Sequence, residues 1–207
     1  MDLFSTRGRI LSAAVELFSD YGYDKVSMRK IAGAMGIRAA SIYNHFSSKA
    51  DILKSLYDFY AKEQQLVIPS LDNLLQLAET TPLQTVFLKL ILHFPPDIQK
   101  TMDRIFFIAS QRINVDTESE NFIRKYFFES RVSLLIPLLK KMIESGKIES
   151  VNIDDFICLF AYYSFSAAVL NNSNLRMDPD QWRCGFNMIF SLLKIMPDAT
   201  DIVFPVS

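Results

Sequence analysis

A chain of 207 residues that is 50% hydrophobic holds enough apolar material for one compact unit or two small ones. A net charge of −1 excludes a protein coated in nucleic acid along its whole length, and two cysteines exclude a disulfide framework. Both thiols, Cys158 and Cys184, fall in apolar helical patterns and are expected to be buried and reduced. The N-terminus MDLFSTRGRI lacks the basic start and apolar run of a secretory signal, and the most apolar stretch, Phe156 to Leu170, is short for a bilayer. A cytoplasmic location with no membrane partner is therefore expected.

Taken in chain order, Thr6 to Tyr21 predicts a first helix with Ile10, Ala14, Leu17, Phe18 and Tyr21 on one face, ended by Gly22. Ser27 is placed to cap a second helix, whose Met28, Ile31, Ala32 and Met35 form one apolar stripe at i, i+3, i+4 and i+7. Gly36 follows as a helix stop. The next helix carries Ala40, Ser41, Tyr43, Asn44 and His45, small and polar groups that tolerate exposure, and Phe46 closes the unit as an apolar anchor. Two short helices joined by a tight turn are the layout that places one helix in the major groove of DNA.

Ser47 or Ser48 caps a connector from Lys49 to about Val67, stopped by Pro69. Thr81–Pro82 starts a helix to about His93, and Pro95–Pro96 starts another to about Ile113. The polar run from Asn114 to Asn121 is a loop and helix start, leading into a long helix that contains Pro137 and ends at Gly146. Asn152 to Asp155 opens an apolar helix reaching Asn171, and Asp178–Pro179 opens the last, to about Met196, before an irregular tail from Pro197. The pattern is all-α, with about nine or ten helices. It divides into a helix-turn-helix domain over 1–48, a connecting helix over 49–69 and a second domain over 70–207.

Charge follows the same division. Residues 1–54 carry eight basic side chains against five acidic ones, and the remainder carries 14 against 18. A modestly positive head on an acidic body suits a DNA-reading module joined to something that does not touch DNA. In a helix-turn-helix the N-terminal residues of the second helix reach base edges; here these are Arg38, Ala39, Ala40 and Ser41, with Asn44 one turn on. Arg38 has two donors for guanine, Asn44 matches adenine, and the alanines suit thymine methyls. Arg29 either meets a phosphate or only solvates its face.

Ser27 to Ile37 reads Ser-x-Arg-x-Ile-Ala-x-x-x-Gly-Ile, and Ile42 to Lys49 reads Ile-Tyr-x-His-Phe-x-x-Lys. This segment resembles the DNA-binding domain of the tetracycline-repressor (TetR) family of transcriptional regulators. The resemblance implies phosphate contacts from Ser27, Tyr43, His45 and Lys49; beside these stand a pure helix cap for Ser27, a core aromatic for Tyr43 and a structural histidine for His45. It also implies a homodimer on a palindromic double-stranded operator and a small apolar or aromatic effector held among the C-terminal helices. The candidate lining is Phe87, Arg104, Phe107, Gln111, Tyr126, Tyr162 and Asn171.

Family members dimerise through the last two helices. On the helix from Asp155 to Asn171 the small residues Ala161, Ser164 and Ala168 share one side, and the last helix has one stripe with Phe186, Ile189 and Leu193 and another with Cys184, Met188 and Leu192. The side with Ala161, Ser164 and Ala168, together with Phe186, Ile189 and Leu193, is assigned to the subunit interface. Only two histidines occur, His45 and His93, in no His-Glu-x-x-His or Cys-x-x-Cys pattern, and there is no Gly-rich phosphate loop or nucleophile elbow. No enzyme activity, cofactor or metal is expected. The reading is a ligand-responsive repressor; the alternative is an interaction protein on the same scaffold, controlled by a protein partner.

Overall fold

The computed structural model describes residues 5–90, 94–171 and 178–193, and every regular element among them is helical. In chain order these are α1 (Thr6–Tyr21), a 3₁₀ turn (Tyr23–Lys25), α2 (Met28–Ala34), α3 (Ala39–Tyr43), α4 (Lys49–Val67), α5 (Leu71–Thr80), α6 (Leu83–Lys89), α7 (Pro96–Ser110), α8 (Thr117–Ile123), a π-helical stretch (Arg124–Glu129), α9 (Ser130–Glu144), α10 (Ile153–Asn171) and α11 (Pro179–Ser191).

Local capping sets most of these boundaries. The Ser5 hydroxyl accepts from the Gly8 amide at 3.0 Å, Ser48 from Asp51 at 3.1 Å and Ser70 from Asn73 at 3.2 Å, each satisfying an amide that the first helical turn leaves without a partner. Asn152 caps α10 through the amides of Asp154 and Asp155. Asp178 and Gln181 form a reciprocal capping box at α11. Of the two serines proposed for α4, Ser48 is the cap, while Ser47 instead donates its amide to the Asp51 carboxylate at 2.9 Å.

Three differences from the sequence expectation have physical reasons. Helix α5 is an addition to the expected elements: Ser70 caps it, and Leu74 and Ala78 are buried on one face. Helix α3 ends at Tyr43, so Asn44 is its C-cap and His45 lies beyond it. The long helix expected up to Ser145 is divided by the π-helical stretch, beside which Arg131 is buried. Its Nε donates to the Leu90 carbonyl at 2.9 Å, just past the end of α6, and its Nη1 to the Phe127 and Tyr126 carbonyls at 2.9 and 3.2 Å. A guanidinium at a helix C-terminus meets the partial negative charge there. Expectations for His93 and for the tail from Pro197 fall outside the described residues.

The chain folds as two compact units, residues 1–66 with 94–122 and residues 67–93 with 123–207. The stretch 94–122, part of the 70–207 segment in the sequence reading, thus belongs with the helix-turn-helix. The first unit is built on Ile10, Ala14, Phe18, Ile31, Ile42, Phe46, Ile52 and Leu56, all at 0 or 1% exposure. The second centres on Phe87, Phe156, Phe160, Phe186 and Phe190, with Leu135, Leu138 and Leu139. Phe87 lies 5.6, 6.0 and 5.7 Å from the rings of Phe156, Phe160 and Phe190. Each fully buried ring contributes about 2–3 kcal/mol, so this cluster is the main source of the second unit's cohesion.

Cys158 and Cys184 are free but exposed, which corrects the expectation of buried thiols: they occupy the sides of α10 and α11 away from Phe160 and Phe186. By length and composition, Ile153–Leu170 also passes for a membrane-crossing helix, yet Phe156, Phe160 and Ser164 are spent on the core.

Where α10 meets α11, the Tyr163 ring packs against Trp182 and Phe186 at 5.3 and 4.8 Å, and its hydroxyl donates to the Trp182 carbonyl at 3.1 Å. A Cβ at Gly185 would overlap that hydroxyl and the ring carbon bearing it. Gly185→Ala should therefore destabilise the protein by about 1–3 kcal/mol through overpacking, despite the better helix propensity of alanine. In a Tyr163→Ala background the same change should stabilise by up to about 1 kcal/mol. Urea denaturation of the four proteins reads this reversal of sign; destabilisation of equal size in both backgrounds would remove Tyr163 as the reason for the glycine.

Candidate nucleic-acid interface

The site rests on the turn between α2 and α3. The Gly36 amide donates to the Gly33 carbonyl at 3.2 Å and the Ile37 amide to the Ala32 carbonyl at 3.0 Å, the pairing that closes a helix with a left-handed residue. Gly36 supplies that residue at φ +66. The turn delivers Arg38 to the N-cap of α3, where its side chain makes no capping bond.

Helix α3 buries one side chain, Ile42, completely, and Phe46 follows at 1% exposure. The remaining side is outward: Arg38, Ala40, Tyr43, Asn44 and His45 are exposed, while Ala39 and Ser41 are half-buried. Tyr43, at 56% exposure, is thus no core aromatic, and His45 no buried structural histidine. Ser27 accepts from the Lys30 amide at 3.2 Å and keeps a hydroxyl proton to donate, so the cap and a phosphate contact are compatible. Arg29 is exposed on α2.

Lys49 differs from the others. It is half-buried, with its Nζ donating to the Tyr23 carbonyl at 2.8 Å and lying 4.1 Å from the centre of the Tyr23 ring. Burial lowers the ammonium pKa from its ordinary value, with the charge of Arg112 adding to the effect and Asp24 opposing it.

Arg7 also belongs to the site, although in the sequence it stands only as one basic residue of the head. Its Nη1 donates to the His45 carbonyl at 2.6 Å, its Nη2 to the Ser55 hydroxyl at 2.8 Å, and its guanidinium carbon lies 4.1 Å over the Phe46 ring. It thereby fastens the end of α3 to α1 and α4. No spacing rule could have found it, since its partners lie 38 and 48 residues away.

The residues expected around an effector divide between the two units. Arg104, Phe107 and Gln111 belong to the first unit, and Phe87, Tyr126 and Tyr162 to the second. Arg104 forms ion pairs with Glu16 and Asp20 at 3.6 and 3.7 Å. Phe107 and Gln111 line a cleft of about 370 Å³ with Phe18, Tyr21, Tyr23 and Arg112. Phe87 is a core ring with no exposed surface, and Tyr162 is 67% exposed. The Asn171 side chain lies outside the described residues.

Of the positions assigned to a subunit interface, Ala161, Ser164, Phe186, Ile189 and Leu193 are buried within the second unit itself, and Ala168 is half-buried. Ser164, Phe186 and Leu193, at 0 or 1% exposure, have no surface to bury against a partner, and Ala161 and Ile189 keep only 8%, so these five serve mainly the protomer's own core. The large apolar side chains left outward are Leu159 and Tyr162 on α10, Met188 on α11 and Leu192 at its end.

Residues 10–56 match the family model of bacterial regulatory proteins, tetR family. An HTH-type transcriptional regulator of Staphylococcus aureus (strain bovine RF122 / ET3-1) is 31% identical over 90 residues, covering 36% of this chain and 49% of the relative; the chain spans about half the length of the curated relatives it matches. Among solved structures, the TetR family regulator PfmR from Thermus thermophilus superposes with a TM-score of 0.62 at 19% identity, covering 92% of this chain and 100% of that one. The ketosteroid transcriptional regulator KstR2 of Mycobacterium tuberculosis does so with a TM-score of 0.57 at 16% identity, covering 92% and 94%. At these identities the likeness establishes a shared fold.

The turn generates a prediction with two signs. Gly33 and Gly36 both have open space where a Cβ would stand, but only Gly36 has positive φ. Gly36→Ala should cost about 1–2 kcal/mol, the penalty of a left-handed L-residue, whereas Gly33→Ala should stabilise by up to about 1 kcal/mol through helix propensity. Thermal denaturation checks both; equal stability of the two variants would contradict the left-handed turn.

Proposed function

The chain belongs to the TetR family of bacterial regulatory proteins, and we propose that it is a homodimeric DNA-binding transcriptional regulator that works in the cytoplasm and releases its operator when a small apolar or aromatic molecule binds. The observation that carries the reading is the outward side of α3, where Arg38, Ala40, Tyr43 and Asn44 stand exposed over a buried Ile42. Arg38 and Asn44 are assigned to base edges, and Ser27, Arg29, Tyr43, His45 and Lys49 to phosphates. Repression and ligand response are supported by kinship alone: the name of KstR2 ties that protein to ketosteroids. A ligand acts by preferring the protein state that binds DNA poorly, and weakens operator affinity by that preference. No specific observation favours control by a protein partner.

Selection of double-stranded DNA by the purified protein tests the central claim. The expected product is a roughly two-fold symmetric duplex whose binding weakens steeply with salt. Arg38→Ala should change preference at one position per half-site, costing about 1–3 kcal/mol there. Equal weakening across all base variants would remove Arg38 as a base reader. The same binding assay, run against apolar and aromatic molecules, tests the effector.

For the dimer, the exposed apolar side chains Leu159, Tyr162, Met188 and Leu192 supply the contact face. These four residues are 48 to 68% exposed, and they lie on two helices that pack against each other. Met188→Arg places a charge in that contact without touching the protomer core. It should shift sedimentation from dimer to monomer and lower operator affinity, while leaving the helical spectrum intact. A variant that sediments as a dimer would place the contact elsewhere.

A further inference from the structure

The end of α1, the 3₁₀ turn and the end of α7 frame the cleft of about 370 Å³, wholly inside the first unit. Small-molecule sites span about 300–1,000 Å³, so the cleft has room for a small ligand. Two rings offer it apolar surface: Phe107 is half-buried and Tyr21 is 53% exposed. Tyr23 is already engaged. Phe18 meets it edge-on at 5.0 Å, and the Lys49 ammonium and the Arg112 guanidinium carbon are each 4.1 Å from its centre.

The polar lining is rich in donors. Arg112 directs its Nη1 to Asp24 at 3.1 Å and its Nε to Asp116 at 2.8 Å, which leaves its Nη2 for another acceptor. The side chains of Ser19, Lys25 and Gln111 also line the cleft, and they make no hydrogen bond among the described residues. Lys30 stands 3.4 Å from the centre of the Tyr21 ring. The four cations Lys25, Lys30, Lys49 and Arg112 outnumber the carboxylates that act on Tyr23, which are Asp24, Asp116 and Glu118; Asp20 is engaged by Arg104. Apolar rings beside convergent donors and surplus positive charge select a flat molecule that carries an anionic acceptor.

The geometry points to a binding site here for a small planar aromatic carboxylate, its ring against Phe107 and Tyr21 and its carboxylate on Arg112 Nη2 and Lys25. The site stands inside the first unit, apart from any effector site among the C-terminal helices, and the inference does not depend on the DNA-binding reading. Ser27, the cap of α2, follows the 3₁₀ turn by two residues. An acid held in the cleft therefore ties the start of the helix-turn-helix to α7.

The test titrates the full chain, without DNA, with naphthoate and with the neutral naphthalene alcohol of the same skeleton. Binding is followed through amide hydrogen exchange, so that each Kd belongs to a place in the chain. Naphthoate should slow exchange at residues 21–27 and 107–112, and the alcohol should bind there about tenfold more weakly, the order of one charge-assisted hydrogen bond. Lys25→Met, at an exposed position, should raise the Kd for naphthoate about two- to fivefold. Phe107→Leu keeps much of the bulk and loses the ring, and should raise it about two- to tenfold. Arg112→Met should raise it about tenfold or more; where loss of its pairs with Asp24 and Asp116 unfolds that variant, Lys25→Met and Phe107→Leu decide the matter. Exchange unmoved by naphthoate, equal affinity for acid and alcohol, or parent affinity in both Lys25→Met and Phe107→Leu would each overturn the site. Protection confined to residues 123–171 would also overturn it, while leaving the effector reading of the second unit in place.

Discussion

Ile42 has no exposed surface, and the outward side of α3 depends on that burial. A helix of five residues is far below the about 12–15 at which isolated helices become marginally stable in water. It exists here because Ile42 and, one turn on, Phe46 are drawn into the core shared with Ile31 and Ile52. Once Ile42 points inward, the 3.6-residue period turns Tyr43 away from it, while Arg38 at the N-cap and His45 past the end of α3 are exposed outside the helical period. Arg7 completes the arrangement by holding the His45 carbonyl and lying over Phe46, so the end of α3 is fixed to longer helices that are stable in their own right.

The second unit obeys a different constraint. Its phenylalanines pack ring against ring, with Phe87, Phe156, Phe160, Phe186 and Phe190 all at 0 or 1% exposure. Removing one would cost about 3–5 kcal/mol in transfer and cavity terms, so these rings are structural whatever else the unit binds. Two of the buried polar side chains here meet backbone acceptors. Ser164 donates to the Phe160 carbonyl at 2.6 Å, and Arg131 reaches three carbonyls around the π-helical stretch. A buried cation without such partners would be prohibitive.

What the sequence made legible was whatever is decided locally. The boundaries of α1, the cap at Ser27, the turn at Gly36 and the opening of α10 at Asn152 depend on residues within five positions of one another, and the helix-turn-helix motif is a local pattern of the same kind. Helix α5 was equally legible from Ser70 and its leucines. The face of α10 was not: with Phe156, Leu159, Phe160, Tyr162 and Tyr163 apolar nearly all round, periodicity gives no direction. The small residues Ala161 and Ser164 do mark a close helix approach, but it is satisfied inside the protomer. Aromatic roles were hidden for the same reason, since nothing near Phe87 in sequence distinguishes a core ring from a pocket wall. Arg112 and Asp24 are 88 residues apart, and no spacing rule pairs them.

These two constraints bear on each other under the proposed function. One α3 offers few base contacts, and a good bidentate pair discriminates by only about 1–3 kcal/mol, while specific binding must exceed non-specific binding by about 4–10 kcal/mol. Two such pairs on a single head, Arg38 and Asn44, would supply about 2–6 kcal/mol and reach only the lower part of that range, so a second head raises the specificity well into it. The advantage of a partner copy thus follows from how short the reading helix is. The proposed contact is the side of α10 and α11 that the phenylalanine core leaves unused. Because Phe160, Phe186 and Ile189 are committed inward, the opposite side with Leu159, Tyr162, Met188 and Leu192 remains available. The same inward commitment that stabilises the protomer decides which surface is left to join two of them.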